Sequence, residues 1–346
     1  MKLGISIGFG ASAKYELPIK SVLRAEELGF DAVWSAETYG SDAMSPLAYL
    51  AAITKKIRLG TGIAQLAART PANLAMTAQT IDALAGGNRM IIGLGVSGPQ
   101  IVEGWYGQPW GKPNARLRDT VAIVKKILKR EGPVVHEGKE ISLPYRGPGA
   151  SGMAKPLKSI MHGNPNIPVF LGTSTPVNVR MTAEVADGWI AMHLAPDTFK
   201  KKYLPIVREG LAKRTDGKKL EDFDIRTSLS VHISTDVRAA LNAMKPMVAL
   251  FVGGMGAKDK NFHKEAMVDR GYQEAAERIQ ELFLAGRKDE AAAAVPDDFV
   301  DDESLIGPPE RIAERWRRWR DSGVTMMCFT TASEEVVELM GKIGRE

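Results

Sequence analysis

Residues 57–100, IRLGTGIAQLAARTPANLAMTAQTIDALAGGNRMIIGLGVSGPQ, set two short apolar runs on either side of one helix-like stretch, an order that few folds accommodate. The first run, Ile57 to Ile63, is short and ends at a glycine pair, Gly60 and Gly62, as a buried parallel strand would. Thr70 is an N-cap candidate before Pro71, which stands where a missing N–H costs nothing. Leu74, Ala78, Ile81 and Leu84 are read as one helical face, ended by Gly86 and Gly87. Met90 to Val96 is a second buried strand, with Ser97-Gly98-Pro99 as its exit turn. Parallel strands joined by a helix form a βαβ unit, and such units bind ligands beyond the carboxyl ends of their strands.

The same alternation starts at the first residues and returns after two interruptions. Strands are expected at Leu3–Phe9, Asp31–Ala36, Pro168–Thr173, Gly188–Met192, Ile225–Ile233 and Val324–Phe329. Helices are expected near Ile19–Leu28, Ser45–Ile53, Asn114–Arg130, Pro176–Ala186, Pro196–Lys213, Pro308–Asp321 and Glu334–Lys342. With the two central strands this makes eight, and the pattern predicts a (β/α)8 TIM-like barrel of the α/β class, forming one domain over 1–346. The first interruption, 132–167, is rich in glycine and proline and contains a hairpin-like stretch, Val134 to Leu143. The second, 253–306, lies in a helix-compatible region running from Val237, with Gly253-Gly254 and Gly286 read as breaks. Long excursions of this kind serve as lids or interface arms.

Composition narrows the class. The chain of 346 residues is 44% apolar and 25% charged, without an apolar stretch long enough to cross a bilayer. No signal-peptide pattern opens it, and the single cysteine, Cys328, excludes an internal disulfide framework; both point to the cytoplasm. The net charge of +5 is spread over many helices. Its densest run, 311–320, interleaves Arg315, Arg317, Arg318 and Arg320 with Trp316 and Trp319, a composition also seen in nucleic-acid binders. Helical spacing of Ile312, Trp316 and Trp319 favours a buried tryptophan stripe with a solvated basic face, so a small acidic ligand is a better partner for this charge than nucleic acid or a membrane. No Cys/His cluster is present, and His136, His162, His232 and His263 show no paired ligand spacing, so no metal is expected.

Three segments carry a family resemblance: 57–100, GTSTPVNVRMTAEVADGW from Gly172 to Trp189, and IGPPERIAERWRRWRDSGV from Ile306 to Val324. Together they resemble the luciferase-like monooxygenase superfamily, and QLAARTP, GLGVSGPQIVEGWYG and GKPNAR are most similar to its branch of oxidoreductases that use coenzyme F420. The resemblance implies a deazaflavin, or alternatively FMN, at the carboxyl ends of the barrel strands. It also implies a cis peptide at Gly62–Ile63, forming a bulge under the middle ring, with Ala64 next to it. Relatives commonly pair as homodimers. Some of them carry an acidic residue followed by histidine after the second strand; here the pair is Glu37-Thr38, which removes a titrating histidine.

Candidate contacts follow. Gly172, Thr173, Ser174 and Thr175 offer N–H groups and hydroxyls ahead of a helix that would begin at Pro176, a phosphate cradle, though Thr175 also suits a plain N-cap. Ser97, Gly98 and Pro99 form a second cofactor loop, and Arg69 is a possible charge partner or a rim arginine. Glu37, Glu103 and Tyr39 are the candidates for proton handling. Trp105 and His193 are the candidates for substrate contact, each with an ordinary packing role as the alternative. The leading function is hydride transfer between coenzyme F420 and an organic substrate. The others are an FMN-dependent monooxygenase and a barrel that binds without catalysis.

Overall fold

The computed structural model describes residues 1–10, 14–256, 261–330 and 333–345. Residues 257–260 of the expected helical insertion lie outside the described residues. Eight parallel strands close into a barrel: β1 Lys2–Gly8, β2 Ala32–Ser35, β3 Arg58–Thr61, β4 Met90–Gly95, β5 Val169–Gly172, β6 Gly188–Ile190, β7 Asp224–Ile233 and β8 Met326–Thr330. Each pairs with the next, Lys2 stands opposite Met326, and β7 bridges β6 and β8 through Asp224↔Gly188 and Arg226↔Met326. Register is fixed because both faces of these strands are buried, and a one-residue slip would exchange them.

The barrel interior is filled by Trp34, Ile91, Phe170, Ile190, Met326 and Cys328. Gly60 leaves the space for the largest of these: a Cβ there would lie 2.5 Å from Trp34 Cε3. Outside the barrel, helices bury one stripe each. Leu117, Val121, Val124 and Leu128 are buried on the helix Pro113–Lys129, as their spacing predicts. Leu74, Ala78 and Ile81 are likewise buried on Pro71–Leu84, but Leu84 is exposed. Ala85, four residues after Ile81, completes that face instead.

The basic run near the carboxyl terminus is the helix Pro309–Arg320, with Ile312, Trp316 and Trp319 buried. Two of its arginines, Arg311 and Arg315, pair with Asp301 at 2.8 and 2.9 Å. Its aromatic residues are therefore core, not an exposed stacking surface.

Gly253 and Gly254 end the helix Val237–Gly254, as expected of breaks, and they let Phe283 pack close; Cβ atoms there would meet its ring or Cβ at 2.4 Å. Three local readings differ from the structure. The helical insertion begins at Val237, before position 253. It has its own core, including Leu241, Val252, Ile279, Leu282 and Phe299. A short strand, Ser304–Gly307, pairs with the far end of β7, and a run of this length is too short to show a period in sequence. The helix expected over Pro196–Lys213 is divided by a wide turn at Phe199–Tyr203 ahead of Pro205, whose ring cannot continue a regular hydrogen-bond ladder.

In the first excursion, His136–Glu137 and Ser142–Leu143 form a small antiparallel pair. Asp119 ties it to the barrel by accepting from the N–H groups of Glu140 at 2.8 Å and Ile141 at 3.0 Å. No described helix is long and apolar enough to cross a membrane.

Candidate functional site

A cavity of about 1010 Å³ opens over the carboxyl ends of β3 to β8, walled on one side by the helical insertion. This volume suits a large organic ligand. The Gly62–Ile63 peptide is cis, and Ile63 projects into the cavity beside the ends of two neighbouring strands. Glycine at those ends leaves room for it: a Cβ on Gly95 or Gly172 would approach Ile63 within 2.8 or 2.9 Å. An apolar platform results. Ser97 after β4 and His193 after β6 both line the cavity with left-handed backbones, φ 63° and 49°. Non-glycine residues rarely hold that conformation, and they cluster where structure serves function.

Gly172 through Thr175 also line the cavity, at the start of the helix Pro176–Val185. Their loop is held from behind. Trp189 Nε1 donates to the Thr173 carbonyl at 2.8 Å, the Thr173 and Thr182 hydroxyls lie 2.8 Å apart, and Thr175 caps the N–H of Asn178 at 3.4 Å. The capping role and an anion-facing role coexist here, because one side-chain cap leaves other first-turn donors available.

Several predicted residues lie elsewhere. Glu37 is buried beside the cavity, not on its wall, and both its oxygens are committed. They accept from the N–H groups of Ala43 at 2.8 Å and Gln65 at 2.6 Å, and from Arg69 at 2.6 and 3.0 Å. The carboxylate thus clamps the segment that follows β3, and Arg69 is its counter-ion. Ala64 is buried in register with Leu94, away from the cavity. Gly98 and Pro99 turn into the short helix Pro99–Val102 and leave only Ser97 of that loop on the wall. Glu103 is exposed, with Trp110 N–H 3.4 Å away. Tyr39 and Trp105 are 60% and 61% exposed and pack edge to face on each other, outside the cavity lining.

The insertion supplies groups that the sequence did not single out. Glu303 and His263 line the cavity with His193. His193 Nδ1 lies 2.8 Å from Glu303 Oε2, and its Nε2 lies 2.6 Å from His263 Nδ1. Arg270 pairs with the other oxygen of Glu303. Burial opposes ionisation of Glu303, yet His193 and Arg270 hold its carboxyl below the usual range. Burial also disfavours charge on His193, but Glu303 outweighs it and raises the imidazole above its ordinary value. Burial and the neighbouring His193 push His263 down to about 4. These residues are up to 110 positions apart, so no local spacing links them.

Arg226 is the second omission. Its side chain rises from β7 inside the barrel, 4% exposed, and among the described residues it is the only lysine or arginine lining the cavity. The guanidinium carbon lies 4.6 Å from the Trp34 ring centre, and Nε is buried without a hydrogen-bond partner. Among the described residues no carboxylate pairs with it. One signal was available: residues alternate along Ile225–Ile233, so Arg226 stands on the face opposite Ile225 and Thr227, and the alternation does not say which face lines the barrel.

The chain matches the luciferase-like monooxygenase family model over residues 3–326. It is 43% identical to a Mycobacterium tuberculosis protein whose name assigns it as a coenzyme F420-dependent oxidoreductase, over 97% of each chain. It is 28% identical to the 5,10-methylenetetrahydromethanopterin reductase of Archaeoglobus fulgidus, covering 99% of this chain and 98% of the relative. Among solved structures, the coenzyme F420-dependent tetrahydromethanopterin reductase of Methanopyrus kandleri superposes with a TM-score of 0.77 at 25% identity, over 99% and 97% of the two chains. The closed barrel and the match along nearly the whole chain agree, and the chain belongs to the luciferase-like monooxygenase family.

Proposed function

We propose that this protein is an oxidoreductase that holds coenzyme F420 in the cavity over its barrel and acts on an organic substrate that enters beside it. The observation that carries the reading is the 43% identity to the mycobacterial relative along nearly the whole of both chains. The residues present fit such a cofactor. Ile63 offers a flat apolar support, Gly172 to Thr175 offer donors for a phosphate, and Arg226 offers a buried positive charge for an electron-rich ring or an acidic group. When bound, the deazaflavin supplies or takes up the hydride.

The protein's own contribution is placement and exclusion of water. Met244, Met247, Phe251 and Phe299 of the insertion give the cavity an apolar wall, and a substrate held against it is removed from bulk solvent. The reading includes a cytoplasmic homodimer, supported by the lone buried Cys328 and by the pairing implied by family resemblance.

Equilibrium titration of the purified protein with coenzyme F420, FMN and NADPH tests it. Saturable binding of coenzyme F420 with little or no binding of the others is expected. Preferential binding of FMN would turn the assignment toward a flavin monooxygenase, and binding of none would point to a barrel without redox chemistry.

A further inference from the structure

Resting on the reading above, we propose that His193 and His263 form a proton relay that serves a carbonyl or alcohol substrate, with Glu303 and Arg270 as its positioning residues. The geometry assigns the protons. Glu303 is a carboxylate and accepts only, so His193 must carry a proton on Nδ1 across the 2.8 Å contact. The 2.6 Å contact between His193 Nε2 and His263 Nδ1 joins two ring nitrogens, which requires one proton between them. Arg270 fixes the far oxygen of Glu303, and Asp302 lies 3.5 Å from the same guanidinium. Glu265 and His232 line the same cavity. With Glu303 on one side, the shared proton belongs on His193, leaving His263 neutral with its own proton on Nε2.

The remaining contacts set the direction of the relay. His263 stacks on Phe251, with ring centres 4.9 Å apart and planes 15° from parallel, which fixes its orientation on the apolar wall. His193 is locked by its left-handed backbone and by Glu303.

When a carbonyl carbon gains a hydride, a C–H bond forms, the C=O π bond breaks, and the oxygen keeps its electron pair. That oxygen needs one proton. His263 gives the Nε2 proton while His193 passes its Nε2 proton to His263 Nδ1. His193 is left neutral, still donating from Nδ1 to Glu303, and solvent restores the proton. Alcohol oxidation runs the same transfers backwards. General acid–base groups of this kind contribute about 10²–10⁴-fold to rate.

Nitrogen NMR of the histidine rings tests the pair in the ligand-free protein across pH, in wild type, Glu303→Gln and His263→Asn. In the wild type, His193 should stay doubly protonated above the pH at which an ordinary imidazole loses its proton, with a low-field N–H shared with neutral His263. Glu303→Gln should lower the proton affinity of His193 by about tenfold or more. His263→Asn should abolish the shared resonance while the bond to Glu303 persists. Two rings titrating independently in the ordinary range, in wild type and Glu303→Gln alike, would overturn the relay. The same samples are titrated with coenzyme F420: uncoupled rings in a protein that binds it remove the relay alone, whereas coupled rings without binding remove the hydride source and hence this role.

Discussion

Glu37→Gln should lower the unfolding free energy by about 3–5 kcal/mol, the cost of breaking a buried ion pair from one side. The carboxylate accepts four hydrogen bonds, two from backbone N–H groups and two from Arg69, with side-chain exposures of 3% for Glu37 and 15% for Arg69. An amide has the same shape but only one accepting oxygen. In either orientation its NH2 group would face two donors, one backbone N–H (Ala43 or Gln65) and one Arg69 N–H, and Arg69 would keep one bond to the amide oxygen, with Asp42, 3.5 Å away, as its carboxylate. Urea denaturation at neutral pH measures the effect as a lower midpoint with an unchanged slope. A variant that unfolds like the wild type would show the clamp to be dispensable and reopen a chemical role for Glu37.

The clamp also shows why sequence reasoning found the barrel but misread part of its rim. Strands such as Ile57–Ile63 and Met90–Val96 announce themselves through short, glycine-bearing apolar runs, and the helix Pro71–Leu84 through its cap and periodicity. Those signals are local. A loop glutamate after a strand has no local signature that separates a proton-transfer group from an anchor, because the difference lies in partners 6, 28 and 32 residues away. Gly172–Thr175 reached the cavity because their position at a strand end and helix start fixes it. His263, Arg270 and Glu303 come from the insertion, whose helices pack by side-chain fit and not by the barrel's repeat. Their meeting with His193 was invisible to any spacing rule. The glycines of that insertion illustrate the same limit: that Gly253 and Gly254 end a helix is legible locally, whereas the room they leave for Phe283 is a contact through space.

Arg226→Met should weaken binding of coenzyme F420 by about 10- to 150-fold, the loss of one charge-assisted interaction of about 1.5–3 kcal/mol. Methionine keeps much of the length and apolar volume of arginine, so the barrel interior stays filled while the charge goes. The free protein should not suffer. Arg226 has no carboxylate partner among the described residues, its Nε is unpartnered, and a buried cation with such sparse compensation costs stability that an apolar residue would return. Cys328 beside it does not supply the missing anion, since burial pushes its thiol up in pKa despite the opposing pull of Arg226. Lower affinity combined with unchanged or higher thermal stability is therefore the signature of a charge kept for a ligand. Arg226→Lys separates charge from shape: a lysine that restores most of the affinity makes the interaction electrostatic, and one that does not makes the planar guanidinium the recognising element. If Arg226→Met binds the cofactor as the wild type does, the cation faces no anion of the bound cofactor. If it unfolds instead, the stacking of the guanidinium on Trp34 outweighs the cost of burying its charge, and Arg226 belongs to the core.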